Sequence, residues 1–138
     1  MKKEIEERER EQRIGRRVGV ETIRTDLLET FAYAYPKNPV EICTTTGEFS
    51  CVCPMTGLPD YGTLAITYVP QRLVVELKSL KYYLLQYREV GIFYEHLVNR
   101  IGEDLVAVLA PRRLQVEGRF TSRGGLSTVA RWCWPVVD

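Results

Sequence analysis

Cys53 closes the run Glu48-Phe-Ser-Cys-Val-Cys53, is followed by Pro54, and is separated from Asp60 by a turn-rich stretch. The run reads as a strand ending at Cys53, and Pro54 holds the thiol's backbone in the extended region. A thiol at a strand end, against a turn, is placed to meet a ligand rather than to fill a core. A carboxyl group brought back beside it can take or give a proton at whatever the sulfur attacks. The competing reading is an inert, half-buried thiol with Asp60 capping the turn. Cys51 shares a strand face with Cys53 and reads as packing beneath it, a disulfide under oxidation being the alternative.

Two further groups stand out. In Glu76-Leu-Lys78-Ser79-Leu80-Lys81-Tyr82-Tyr83, two lysines and a serine on the polar side of a helix suit a phosphate-bearing ligand; plain solvation is the commoner explanation of such a face. Arg123-Gly124-Gly125 puts another cation at a hairpin tip, or is an ordinary turn. Glu95, beside Phe93 and Tyr94, can accept paired hydrogen bonds from a purine-like N–H and amino edge. It can equally favour the helix dipole as an N-terminal acid. His96, the single histidine, reads as a surface or packing residue.

The scaffold that must position these groups has 138 residues, 45% of them apolar and 27% charged. That is one domain with a real core, needing no metal or disulfide staple. Lys and Arg total 19 against 18 Asp and Glu, a balance that argues against a dedicated nucleic-acid binder. The longest apolar runs, such as Leu105–Ala110, fall far short of the ~20 residues of a membrane helix, and the N-terminus carries no secretory h-region. The expectation is a soluble, cytoplasmic protein. In that compartment Cys43, Cys51, Cys53 and Cys133 are free thiols, catalytic groups or ligands rather than disulfides. One histidine and a closest cysteine pair of CxC spacing do not supply a zinc site, so no metal is expected.

Residues 1–20 interleave Glu and Arg and read as a charged, solvated arm, ahead of one domain over residues 21–138. Thr25–Phe31 reads as a helical turn, and Tyr35–Pro39 breaks the chain. Val40–Thr46 with Glu48–Cys53, and then Thr63–Val69, read as two strands pairing antiparallel across Pro54–Gly62. Arg72–Tyr87 reads as a helix burying Leu73, Leu77, Leu80 and Leu84. A longer helix follows, with Phe93, Leu97, Ile101, Leu105 and Val108 as its buried stripe and Pro111 ending it. Leu114–Thr121 and Leu126–Trp134 alternate as two strands around Ser122–Gly125. The order ββααββ predicts an α+β fold, one antiparallel sheet with two helices on one face. Its two open edges predict ring-like association of copies, edge to edge.

The residues quoted above also carry a resemblance. Cys53-Pro-Met-Thr-Gly-Leu-Pro-Asp60, Val75-Glu-Leu-Lys-Ser-Leu-Lys-Tyr-Tyr83, Phe93-Tyr-Glu95 and Phe120-Thr-Ser-Arg-Gly-Gly125 resemble the NADPH-dependent 7-cyano-7-deazaguanine reductases, nitrile reductases of queuosine biosynthesis, in their short single-module form. The likeness spans roughly residues 40–128. It implies the tunnelling fold, whose ββααββ units join into an oligomeric barrel, typically two pentamers stacked as a decamer. It implies Cys53 as the nucleophile that forms a thioimide with 7-cyano-7-deazaguanine, and Asp60 as the acid. Glu76 and Glu95 become substrate anchors with Val75, Leu77 and Tyr94 around them, and Lys78, Lys81 and Arg123 become NADPH contacts. Nucleic acid and membrane are not expected partners. The sequence departs from the family at Tyr94, where many members have histidine, and at Leu97, where some have a protective second cysteine. An amidine-forming relative, or another purine- or pterin-processing enzyme of the same fold, is the alternative; it has no need of the three cations.

Overall fold

The computed structural model describes residues 1–6 and 18–136. Of the expected arm, residues 7–17 lie outside the described residues and residues 1–6 are exposed. Val18 already belongs to the folded body: its N–H donates to the Glu89 carbonyl, and its carbonyl accepts from Gly91.

Thr25–Leu27 is a short 3-10 turn, but Phe31 is not part of it. It sits in β1 (Thr30–Ala32) with its side chain largely exposed. The β-branched run that follows forms β2 (Ile42–Val52), broken in register between Thr46 and Phe49. It pairs antiparallel with β3 (Pro59–Val69). β3 therefore starts four residues before the expected Thr63, which shortens the turn and places Asp60 inside a strand, opposite Cys51.

The expected helix at Arg72 is corrected. Leu73–Val75 is a strand, β4, paired antiparallel with β1, and α1 spans Leu77–Leu85. Val74 and Val75 lose χ1 freedom in a helix, and the backbone N–H of Val75 donates instead to the Tyr68 hydroxyl. Glu76 then caps α1, which sets the helix's phase. The buried face becomes Ser79, Leu80 and Tyr83, continued by Tyr87 in a 3-10 turn. Leu73 and Leu84 are half-buried, and Leu77 is 61% exposed.

The second helix, α2 (Tyr94–Leu109), buries Leu97, Val98, Ile101, Gly102, Leu105 and Leu109. Phe93 is its N-cap and exposed, and Val108 is half-buried, because the burying face turns toward β5 (Arg113–Phe120) and β6 (Val129–Trp134). The main sheet runs β2-β3-β5-β6, antiparallel throughout. Its apolar face carries Leu64, Ile66, Tyr68, Leu114 and Val116, in one cluster with Leu80 and Tyr83 of α1 and the α2 stripe. The opposite face, with Thr67, Gln115 and Glu117, is only partly covered. Period-2 alternation is what separates these faces. This is the predicted α+β arrangement.

Candidate active site

Cys53 stands one residue past the end of β2. Its N–H donates to the Leu58 carbonyl and its carbonyl accepts from Gly57, closing a tight loop over Pro54–Leu58. Partial burial would raise the Cys53 thiol. Hydrogen bonds from the Thr56 hydroxyl and from the Thr56 and Met55 N–H groups outweigh it and hold the thiol below its ordinary value. Asp60 opposes them through its charge. Stabilising a thiolate in this way is how a cysteine becomes a nucleophile. Cys51 is the reverse case. Fully buried, and facing the charges of Asp60 and Cys53, its thiol is pushed up to about 12. It packs as an inert residue.

Asp60 is 5% exposed. The Arg123 Nη2 lies 2.7 Å from its Oδ1, and the same nitrogen hydrogen-bonds the Pro59 carbonyl. Oδ1 accepts no aligned hydrogen bond; among the described residues it is the one buried side-chain oxygen or nitrogen left so. A buried acceptor without an aligned donor is costly, and here the Arg123 charge offsets part of that cost.

Backbone pairing brings the start of α2 to this corner. The Val52 N–H donates to the Val90 carbonyl, and the Ile92 N–H donates to the Val52 carbonyl. Ile92 is followed by the Phe93 cap and by Tyr94 and Glu95 in the first turn. The Tyr94 ring stacks on Phe120, with centroids 3.7 Å apart and planes within 6°. Phe120 has room to lie there because Gly62 and Gly118 lack side chains. A Cβ at Gly62 would come within 2.8 Å of the Phe120 ring, and one at Gly118 within 2.7 Å. The Tyr94 phenol is pushed up to about 12, first by burial, then by hydrogen bonding to Asp60 and by its charge. It stays a neutral donor across the physiological range.

Cys53, Asp60, Tyr94 and Arg123 are thus brought together. Glu76 and Lys78 meet elsewhere, at the start of α1. Glu76 Oε1 accepts from the Lys78 N–H at 2.9 Å and Oε2 from the Ser79 N–H at 2.7 Å. Those backbone bonds hold the Glu76 carboxyl below its usual value. Val75 is buried beneath it, while Leu77, Lys78 and Lys81 are exposed. Lys81 lies 4.9 Å from the Tyr82 ring centroid. Neither lysine is ion-paired among the described residues, so both ammonium groups are open to phosphate. Leu77 and Lys81 line a groove of about 160 Å³ between α1 and the sheet, with Phe49, Leu64 and Arg88; Cys53 and Asp60 do not. Glu95 and His96 are exposed, His96 edge-on to Phe93.

Two residues were not singled out from the sequence. Thr56 supports the thiol, and its signal is the Cys-Pro-x-Thr-Gly run itself. Phe120 seats Tyr94, and only the cross-strand register reveals it.

The sequence model of the family described as QueF-like protein matches residues 59–135. The NADPH-dependent 7-cyano-7-deazaguanine reductase of Caldicellulosiruptor bescii is 53% identical over 83% of this chain and 88% of its own length. That of Thermoanaerobacter pseudethanolicus is 50% identical over 80% and 83%. The crystal structure of the archaeosine synthase QueF-Like in the apo form superposes with a TM-score of 0.63 at 21% identity, over 72% of this chain and 96% of that one. At that identity the structural likeness bears on the fold alone.

Proposed function

The chain belongs to the QueF-like family, among the 7-cyano-7-deazaguanine reductases, and from that premise we propose that it is an NADPH-dependent oxidoreductase reducing 7-cyano-7-deazaguanine to 7-aminomethyl-7-deazaguanine. The observation that carries the reading is a thiol held below its ordinary value beside a buried carboxylate whose Oδ1 is ion-paired to Arg123 but accepts no aligned hydrogen bond.

In this mechanism the Cys53 sulfur adds to the nitrile carbon. A C–S bond forms, one π pair of the C≡N bond moves to nitrogen, and nitrogen takes a proton from Asp60. Asp60 first receives that proton from the thiol, so a single proton passes from sulfur to nitrogen. The product of this step is a thioimide, a far better hydride acceptor than a nitrile. When bound, NADPH supplies two hydrides in succession, with a second visit of the cofactor between them. The sulfur leaves after the first reduction, and solvent protons complete the amine. Tyr94, a neutral donor on Asp60, keeps the carboxyl oriented for both proton movements.

Glu95 anchors the purine-like edge through its carboxylate, with Glu76, Val75, Leu77 and Tyr94 completing the substrate's surroundings. Lys78 and Lys81 suit the cofactor phosphates, being exposed and one helical turn apart; Arg123 joins them if the nucleotide draws it from Asp60. The favoured setting is queuosine modification of tRNA in the cytoplasm; no described helix is long and apolar enough to cross a membrane. Copies assemble edge to edge through β2 and β6 into a barrel, two pentamers forming a decamer. The lysines favour this reading over an amidine-forming one.

Protein mixed with 7-cyano-7-deazaguanine and NADPH should consume the reduced nicotinamide, followed by its absorbance. Without NADPH, intact mass should show one adduct per chain. The adduct should vanish in Cys53→Ala and persist in Cys51→Ser. An adduct surviving in Cys53→Ala overturns the nucleophile, and an adduct without NADPH oxidation moves the activity to the alternative.

A further inference from the structure

Phe120 has no role in the chemistry proposed above, yet its ring lies flat against Tyr94, whose hydroxyl reaches the Asp60 carboxyl. The two ring centroids are 3.7 Å apart and the planes within 6°. Carbon atoms in contact are about 3.5–4.0 Å apart, so the rings overlap with almost no lateral offset. Aromatic pairs left to themselves prefer offset or edge-to-face arrangements, with centroids ~4.5–7 Å apart. The sandwich is therefore imposed by what holds each ring.

The sheet holds Phe120. It lies on the buried face of β5, 5% exposed, opposite Gly62 of β3, and its N–H donates to the Thr128 carbonyl. A Cβ at Gly62 would come within 2.7 Å of the Arg119 carbonyl and 2.8 Å of the Phe120 ring. The three atoms nearest a Cβ at Gly118 all belong to side chains, two in the Phe120 ring at 2.7 and 2.8 Å and one in Leu64 at 3.4 Å. Two glycines clear the slot and the aromatic ring fills it. Tyr94 is the first residue of α2 and only half-buried. A flat contact fixes the height and tilt of its ring but leaves the ring free to slide in its own plane. The Asp60 carboxyl, through the hydroxyl, restrains the slide. Each constraint supplies what the other lacks.

We propose that Phe120 is a positioning residue for the proton transfer at Asp60: its ring sets the plane of Tyr94 and so aims the Tyr94 hydroxyl at the carboxyl. The inference rests on the reductase reading above, in which Tyr94 orients Asp60, and adds the residue that orients Tyr94. A phenyl ring has no group that can donate, accept or carry a proton, so its action passes through Tyr94. An aliphatic side chain in the same slot would add bulk without a flat face, and the Tyr94 ring would tip away from the carboxyl.

The test times the formation of the Cys53 adduct with 7-cyano-7-deazaguanine in the absence of NADPH, by intact mass after rapid quenching. It compares the wild-type chain, Phe120→Leu, Tyr94→Phe and the double variant. Phe120→Leu should slow the adduct severalfold, by no more than the about tenfold expected of Tyr94→Phe. The double variant should be no slower than Tyr94→Phe alone, because two changes that act through one hydroxyl do not add. Effects that multiply would mean that Phe120 acts by packing, and would overturn the proposal; so would a wild-type rate in Phe120→Leu. Gly118→Ala keeps the Phe120 ring but forces it to move, so it should slow the adduct in the wild-type chain and not in Tyr94→Phe. If thermal unfolding shows that Phe120→Leu does not fold, Gly118→Ala carries the same comparison. A wild-type chain that forms no adduct removes the reductase reading and this inference with it. A wild-type adduct with unaltered variants removes this inference alone.

Discussion

The molecule contains two clusters built from the same three residue types. Around Asp104, the Nε of Arg100 lies 2.9 Å from Oδ2 and the Tyr83 hydroxyl donates to the same oxygen at 2.5 Å. Tyr87, 2.8 Å from the Tyr83 hydroxyl, extends the chain. Around Asp60 the partners are Arg123 and Tyr94. The first cluster ties α1 to α2 in the core, and every group it buries has a partner. Burial above all pushes both of its tyrosines up, so they remain neutral hydrogen-bonding groups. The second leaves Asp60 Oδ1 without an aligned donor, next to a thiol poised to lose its proton. Full pairing suits a structural device, and an ion-paired carboxylate without an aligned donor, set beside a thiol held below its ordinary value, suits a chemical one.

Exchanging one atom in each cluster is the strongest way to break this contrast. Asp60→Asn should lower NADPH oxidation by roughly 10²–10⁴-fold, the usual worth of general acid–base catalysis, while thermal unfolding shows an intact fold. Asp104→Asn should leave turnover near wild type and lower stability by about 1–3 kcal/mol, the penalty of disturbing a buried hydrogen-bonded group. Similar activity losses in both would erase the distinction.

The tyrosines sharpen it on a smaller scale. Tyr94→Phe should lower turnover about tenfold, the equivalent of one hydrogen bond, with little change in denaturant midpoint. Tyr83→Phe should do the opposite, shifting the midpoint and sparing turnover.

The thiol gives a titration. Alkylation of Cys53 by iodoacetamide should follow a midpoint below that of an ordinary cysteine. Thr56→Val removes a hydrogen bond that lowers the thiol's value, so the midpoint should move to higher pH and the rate at pH 7 should fall. An unmoved midpoint would mean that the backbone N–H groups alone support the sulfur.

The smallest effect belongs to Glu76. Its folded value is depressed by the Ser79 and Lys78 N–H groups, so its contribution is present above the unfolded carboxyl value and is lost as pH falls through the folded one. Glu76→Gln should therefore lose less stability than wild type on acidification, measured by chemical unfolding across the acid range.

Much of this was legible in the chain itself. The alternation of Leu64, Ile66, Tyr68, Leu114 and Val116 marked strands with one buried face, and the stripe Leu97, Ile101, Leu105 marked the long helix. Period-2 and helical repeats are local properties that any chain segment carries with it. The Cys-Pro-x-Thr-Gly-x-Pro-Asp run likewise singled out Cys53 and Asp60, which the fold sets close enough for the carboxyl charge to act on the thiol. What sequence could not decide was competition between structures of similar local merit. Leu73–Val75 fits a helix stripe or a strand, and β1, a partner more than forty residues away, settled it. Leu77 lay on the expected apolar face until the Glu76 cap set the helix phase. Nor could the chain say which of its aspartates keeps a buried oxygen without an aligned donor. Asp60 and Asp104 have the same side chain, and only the tertiary structure, through partners drawn from other elements, gave Asp104 aligned donors from Arg100 and Tyr83 and set Asp60 beside Arg123, Tyr94 and the Cys53 thiol.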